Sequence, residues 1–134
     1  MENKTFKITM SERCFRFKPD ALGSHAPHQP GVYEFVTFDE KVQPIVLFVG
    51  VAPTTIYEAL ANHLMGNIQP TSDELFKAAK DIYFDYVASA DTGSPEDFGD
   101  IAAALIAKHR PKLNPAGKTT ATGRYAAVTL EEVG

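Results

Sequence analysis

Two apolar, β-prone runs joined by a short polar turn constrain the fold of this chain more than any other feature. Gly31–Phe38 is rich in Val, Tyr and Phe, and Pro44–Gly50 is almost entirely apolar. Residues 39–41 between them read Asp-Glu-Lys, which is typical of a turn. Because so short a connection joins neighbouring strands in opposite directions, the sequence predicts an antiparallel hairpin. The unbroken apolar character of Pro44–Gly50 predicts a central strand buried on both faces.

Capping and periodicity signals predict the remaining elements. Helices are expected in three segments: 55–64, 73–80 and 94–109. Ser94 is the expected N-cap of the last helix, with Pro95 at its first position. Alternating residues predict strands in two further segments: 6–10 and 82–88. Residues 19–30 are rich in Gly and Pro and are expected to form a polar loop.

The order of these elements predicts an α+β fold. We expect a small antiparallel sheet of three core strands flanked by helices, with an N-terminal extension that can add a strand. At 134 residues the chain is expected to be a single domain. Within it we distinguish an N-terminal arm (1–29), a core (30–115) and a C-terminal tail (116–134).

Composition excludes several classes of protein. No apolar run approaches the length of a transmembrane helix, so no membrane partner is expected. The N-terminus lacks the apolar stretch of a secretory signal. Cys14 is the only cysteine, which excludes an internal disulfide framework and a multi-cysteine metal site. These features together predict a cytoplasmic protein.

Basic residues are segregated into two parts of a chain whose net charge is −4. Residues 1–18 carry five basic and two acidic side chains, and residues 19–107 carry three lysines against thirteen carboxylates. Residues 108–124 contain no acid and five bases, which are the candidate phosphate contacts: Lys108, Arg110, Lys112, Lys118 and Arg124. If the basic segments meet in space they form a patch for nucleic acid, and if not they are two solvated tails.

The motifs resemble the GIY-YIG endonuclease family over about residues 30–115. Two tripeptides carry the resemblance, Gly31-Val32-Tyr33 and Phe48-Val49-Gly50. They are followed by a helix ending near His63, a strand, and a helix that closes on Pro111-x-Leu113-Asn114. The resemblance implies a nuclease fold and cleavage of nucleic-acid phosphodiesters. In the family a glutamate on the last helix holds Mg²⁺ or Mn²⁺, a helix arginine faces the phosphate, and the tripeptide tyrosines line the site.

Several of these working groups are missing from this chain. Tyr33 matches the first tyrosine, but the second falls on Phe48, which has no hydroxyl. The arginine position falls on Ala59 and the glutamate position on Ala102, while Asn114 matches the family's asparagine. The resemblance therefore implies a divergent member with a degenerate catalytic site. No cofactor is expected, and Mg²⁺ or Mn²⁺ is needed only if the site is active.

Tyr33 and His63 remain as candidate catalytic residues. Tyr33 could line a site or be an ordinary half-buried sheet aromatic. His63 could be a general base or an ordinary boundary histidine. Either Glu58 or Asp100 could supply an acid to a rewired site.

Three functions are therefore open. The leading hypothesis is a protein that binds nucleic acid, DNA more than RNA, through a degenerate nuclease-like site. The first alternative is an active, divalent-metal-dependent endonuclease. The second is a non-catalytic module whose acidic middle segment, residues 19–107, recruits a protein partner.

Overall fold

The computed structural model describes residues 1–134 and contains six strands and four helices. The strands are β1 Asn3–Met10, β2 Phe15–Arg16, β3 Gly31–Phe38, β4 Pro44–Ala52, β5 Tyr83–Ala90 and β6 Ala127–Glu132. The helices are α1 Pro19–His25, α2 Ile56–Leu64, α3 Ser72–Ala78 and α4 Asp97–His109. The α+β class predicted from the sequence is confirmed. None of the helices is long and apolar enough to cross a membrane.

The sheet is larger than predicted and is mixed. Its strand order is β4-β3-β5-β1-β6, and the short β2 also pairs with β5. β1 and β6 run parallel, whereas every other pairing is antiparallel. The prediction of a small, three-stranded antiparallel sheet was therefore wrong in size and in direction. The N-terminal extension contributes two strands, and residues 127–132 contribute a third that no local signal predicted.

The β3–β4 hairpin is confirmed, but β4 lies at an edge of the sheet and not at its centre. From Leu47 onward β4 packs on both faces, because Leu47 and Val49 belong to apolar clusters on opposite sides, whereas Pro44 and Ile45 at its start are exposed. Residues after α4 cover its free edge. Leu113 N–H donates to Leu47 O (3.0 Å), and the Asn114 amide exchanges two 2.9 Å hydrogen bonds with the Val49 backbone. The covered edge explains why a strand with an interior composition can be the outermost one.

Two apolar clusters sandwich the sheet. On one face, the side chains of α1, α2 and α3 pack against Phe35 and Phe84. On the other, α4 packs Ile101 and Leu105 against residues of β1 and β3 that include Phe6. The sheet therefore separates α4 from the other three helices.

The largest differences from the predicted helices are an additional helix and a later start of α4. Residues 19–25 form α1 instead of a loop, because Pro19 has the backbone angle of a first helical turn and Leu22 finds a buried site. α4 begins at Asp97, three residues after the expected N-cap Ser94. The Asp97 carboxylate accepts hydrogen bonds from the N–H groups of Gly93 and Ser94 (2.7 and 3.2 Å), so it closes the turn before the helix.

Candidate functional site

The two family-like tripeptides meet directly across the β3–β4 hairpin. Tyr33 and Gly50 are cross-strand partners. A Cβ atom placed on Gly50 would overlap the Tyr33 ring. The glycine is therefore required by close approach, because it leaves room for the outer end of the Tyr33 side chain against the neighbouring strand.

Tyr33 and His63 form a buried hydrogen-bonded pair. The Tyr33 hydroxyl lies 2.6 Å from Nε2 of His63, and Nδ1 of His63 lies 2.8 Å from the Pro70 carbonyl oxygen. A carbonyl oxygen can only accept, so Nδ1 of the neutral ring carries the proton and Nε2 presents its lone pair. Tyr33 therefore donates to His63, which in turn donates to Pro70.

The surroundings of the pair keep both partners neutral. The His63 ring lies edge-on to Phe35 (4.9 Å between centroids) and to Phe48 (5.6 Å). Burial raises the pKa of the Tyr33 hydroxyl and lowers the pKa of His63, although the Pro70 carbonyl partly offsets the second shift. Both shifts oppose transfer of the proton from Tyr33 to His63.

A cavity of about 350 Å³ opens beside this pair, and we call it the lysine cavity. Its lining includes Tyr33, Phe48, Gly50, His63, Asn114 and Lys118. No acidic side chain lines it, and Lys118 is the only side chain there with a permanent positive charge. The fold thus brings Lys118 together with five residues of the family-like motifs, although these six residues lie up to 85 positions apart in the sequence.

The two alanines at the family's working positions differ in location. Ala59 lies on α2 and lines a second cavity of about 220 Å³, which also contacts Tyr33. Ala102 is fully buried in the α4 cluster on the other side of the sheet. No group of three or more His, Cys, Asp and Glu side chains has an arrangement suited to a metal ion.

An ion-pair network anchors the segment that carries Lys118. Arg124 contacts Asp97 (2.6 Å) and Asp100 (3.0 Å), two aspartates of α4 that are only 3% and 2% exposed. Asp100 also accepts from the N–H and hydroxyl of Thr122. Although burial opposes it, the hydrogen bonds from Gly93, Arg124 and Ser94 hold the pKa of Asp97 below its usual range. Arg124 and Asp100 are therefore engaged with each other, and neither lines a cavity together with Tyr33.

The three other candidate phosphate contacts lie near the end of α4. Lys108 is 3.7 Å from Glu132 of β6. Arg110 has a left-handed backbone at the C-cap, with its side chain exposed, and Lys112 is also exposed. Arg110, Lys112 and Lys118 thus have no ion-pair partner within the chain.

A second cluster of titratable groups is buried under the C-terminal end of α4. Glu34 and Asp85 are cross-strand neighbours, and each has one buried oxygen without a hydrogen-bond partner. Nε2 of His109 lies 3.7 Å from Glu34 Oε2, and the Cys14 thiol lies 3.8 Å from Asp85 Oδ2. Burial, followed by the charge of Asp85, raises the pKa of Glu34 to about 9. Two neighbouring buried carboxyl groups repel each other when both are ionised, which favours a state in which one keeps its proton.

The partners in the Arg124 network and in the Glu34–Asp85 cluster were not predicted from the sequence. Arg124 was expected to contact phosphate, and only the distance between its side chain and the two aspartates reveals its internal role. The sequence contains one indication of the second cluster, because Glu34 is a carboxylate within the apolar run of β3.

The chain matches no protein-family model, no curated protein and no solved structure. The geometry of the lysine cavity is therefore the basis for the function proposed next.

Proposed function

We propose that this protein binds nucleic acid, DNA in preference to RNA, at the lysine cavity through a GIY-YIG-like site without metal-dependent cleavage. One observation carries the proposal. Tyr33, His63, Asn114 and Lys118 converge on a cavity that contains no acidic side chain. The single Cys14 also favours a reducing, cytoplasmic setting for this activity.

The chemistry of the cavity suits a phosphate. Lys118 offers a positive charge on a flexible side chain, and Thr119 adds a hydroxyl donor to the same wall. Arg110 and Lys112 are exposed on the residues that lead from α4 toward this wall. A strand of nucleic acid lying along these residues would place several of its phosphates next to basic side chains.

Features of the Tyr33–His63 pair argue against catalysis by the family mechanism. A tyrosine that activates an attacking group must lose its proton, and burial opposes this at both partners. Phe48 and Ala59 supply neither a second hydroxyl nor a cation near Tyr33. Among the residues of the lysine cavity, only Lys118 could therefore stabilise the negative charge that develops on a phosphate in the transition state.

Electrophoretic mobility shift at low and rising salt tests the proposal on duplex, branched and single-stranded DNA and on RNA. We expect binding that weakens as salt rises. Lys118→Gln should reduce the slope of log K against log salt by about 0.9 on duplex DNA, or about 0.7 on a single strand. Lys41→Gln, an exposed lysine in the β3–β4 turn, is the matched control and should leave the slope unchanged. No binding of any nucleic acid at low salt would refute the proposal.

An active endonuclease is the second candidate, favoured by the 2.6 Å hydrogen bond between Tyr33 and His63. Plasmid nicking with Mg²⁺ or Mn²⁺ tests it. Nicking that Tyr33→Phe abolishes would support this candidate. Nicking that survives in Tyr33→Phe would point to a contaminating nuclease, and no nicking would exclude the candidate under those conditions.

A further inference from the structure

Two cavities of opposite charge meet at Tyr33. The lysine cavity lies on one side, and the cavity of about 220 Å³ beside α2 lies on the other; we call the latter the carboxylate cavity. They share Tyr33, Val51 and Ile68 as lining residues. Ligand sites for small molecules run from roughly 300 to 1,000 Å³, so the two cavities together can hold a molecule of nucleotide size.

The carboxylate cavity presents a matched pair of hydrogen-bonding groups. Glu58 and Asn62 are four positions apart on α2 and so lie on the same side of the helix. Neither Glu58 nor Lys118 takes part in an ion pair within the chain. The Asn62 Oδ1 atom accepts from Asn67, which leaves its amide nitrogen free to donate.

Lys118 and the Glu58–Asn62 pair match opposite ends of a nucleotide. Lys118 provides positive charge for a phosphate, whereas Glu58 offers an acceptor and Asn62 a donor beyond the Tyr33 ring. Carboxylates accept hydrogen bonds from the amino group of cytosine, and a side-chain amide can donate to the adjacent ring nitrogen. Thymine in the same position would place its O4 carbonyl oxygen against the Glu58 carboxylate.

We propose that the two cavities hold one unpaired nucleotide of a nucleic-acid strand, with its phosphate at Lys118 and a cytosine-like amino edge at Glu58 and Asn62. This inference rests on the function proposed above and adds a preference for strand state and for base. The base edge it uses is occupied by pairing in a duplex, so the nucleotide must be single-stranded or turned out of the helix.

Fluorescence anisotropy with labelled oligo-dC and oligo-dT single strands tests the preference. We expect oligo-dC to bind roughly tenfold more tightly than oligo-dT, as for one good base contact. Glu58→Ala should remove most of this ratio, because it deletes the acceptor. Its backbone N–H keeps the 2.9 Å hydrogen bond to Thr55, so the start of α2 is preserved. Glu40→Ala, an exposed acid in the β3–β4 turn, is the matched control and should keep the full ratio.

Lys118→Gln should weaken both oligonucleotides equally and leave the ratio intact. Equal binding of oligo-dC and oligo-dT by the wild type would overturn the nucleotide inference while leaving nucleic-acid binding in place. No binding of either strand, or of duplex, would instead refute the proposed function. Thermal melting of each variant confirms that it is folded.

Methyl NMR with deoxycytidine monophosphate locates the ligand. We expect the Ile68 and Val51 methyl signals to shift, since both residues line the two cavities. Inorganic phosphate should shift them much less, because it has no base. Shifts confined to methyl groups away from both cavities would contradict the assignment.

Discussion

Glu34→Gln should make the protein less sensitive to alkaline pH. The folded state raises the pKa of Glu34 from 4.5 to about 9, through burial first and the charge of Asp85 second. Between these values the folded chain holds a proton that the unfolded chain releases. Stability conferred by this protonated carboxyl is therefore lost as pH rises through the window. Glutamine resembles the protonated acid, because it has nearly the same shape and cannot ionise.

The magnitude follows from one bound proton. Its contribution changes by about 1.4 kcal/mol for each pH unit inside the window. Glu34 is only 3% exposed, so solvent screens this effect little. The free energy of unfolding of Glu34→Gln minus that of the wild type should therefore increase by about 2 kcal/mol between pH 7 and 8.5.

Apart from Asp85, whose pKa burial also raises, the other groups with shifted pKa values do not titrate in this range. Burial lowers the pKa of His109 and His63 below 6.5, so both histidines are neutral throughout. Burial raises the pKa of the Cys14 thiol to about 12, so it stays protonated. The other charges near Glu34 are Glu132 of β6, which raises its pKa, and Lys108 of α4, which lowers it.

Urea unfolding followed by circular dichroism, at half-unit steps from pH 7 to 8.5, measures the difference. Similar urea slopes for the two proteins would show that both unfold from the same native surface. Glu40→Gln in the exposed turn is the control and should follow the wild type. A stability difference that stays constant across the range would refute the reasoning, because it would mean that Glu34 is already ionised at pH 7.

Three further substitutions test the site itself. Gly50→Ala should destabilise the fold by about 1–3 kcal/mol, because the added methyl overlaps the Tyr33 ring; an unchanged melting temperature would contradict this. Tyr33→Phe should cost about 1–3 kcal/mol, since it leaves Nε2 of His63 buried without a donor, and equal urea midpoints would count against the hydrogen bond. Arg124→Gln should speed tryptic cleavage after Lys118 by releasing the segment from α4, whereas an unchanged cleavage rate would show that the ion pairs do not hold it.

Local signals were enough to predict the elements near the site. The β3–β4 hairpin follows from a short turn between apolar runs, and the Thr71–Glu74 capping box at α3 is present as its spacing implies. The position of β4 could not be predicted in this way. A strand with two buried faces has the same composition at the centre of a sheet as at an edge covered by Asn114.

Long-range pairing explains the larger errors. β6 has weak strand character of its own and becomes a strand by pairing with β1, more than 120 positions away. The Tyr33–His63 pair was foreseen as two separate candidates, and the structure supplies their hydrogen bond. The role of Arg124 could not be predicted, because its charge is as suitable for an aspartate as for a phosphate.

The parallel pairing of β1 and β6 also determines how the molecule responds to a mechanical load. Asn3 lies beside Ala127 and Ile8 beside Glu132, in six registered pairs. Opposite forces applied to the two chain ends therefore pull these strands past each other along their length. Such shear loads all six pairs together and does not open them one at a time. The first and last strands thus form a clamp, and forced unfolding depends on how fast that clamp breaks.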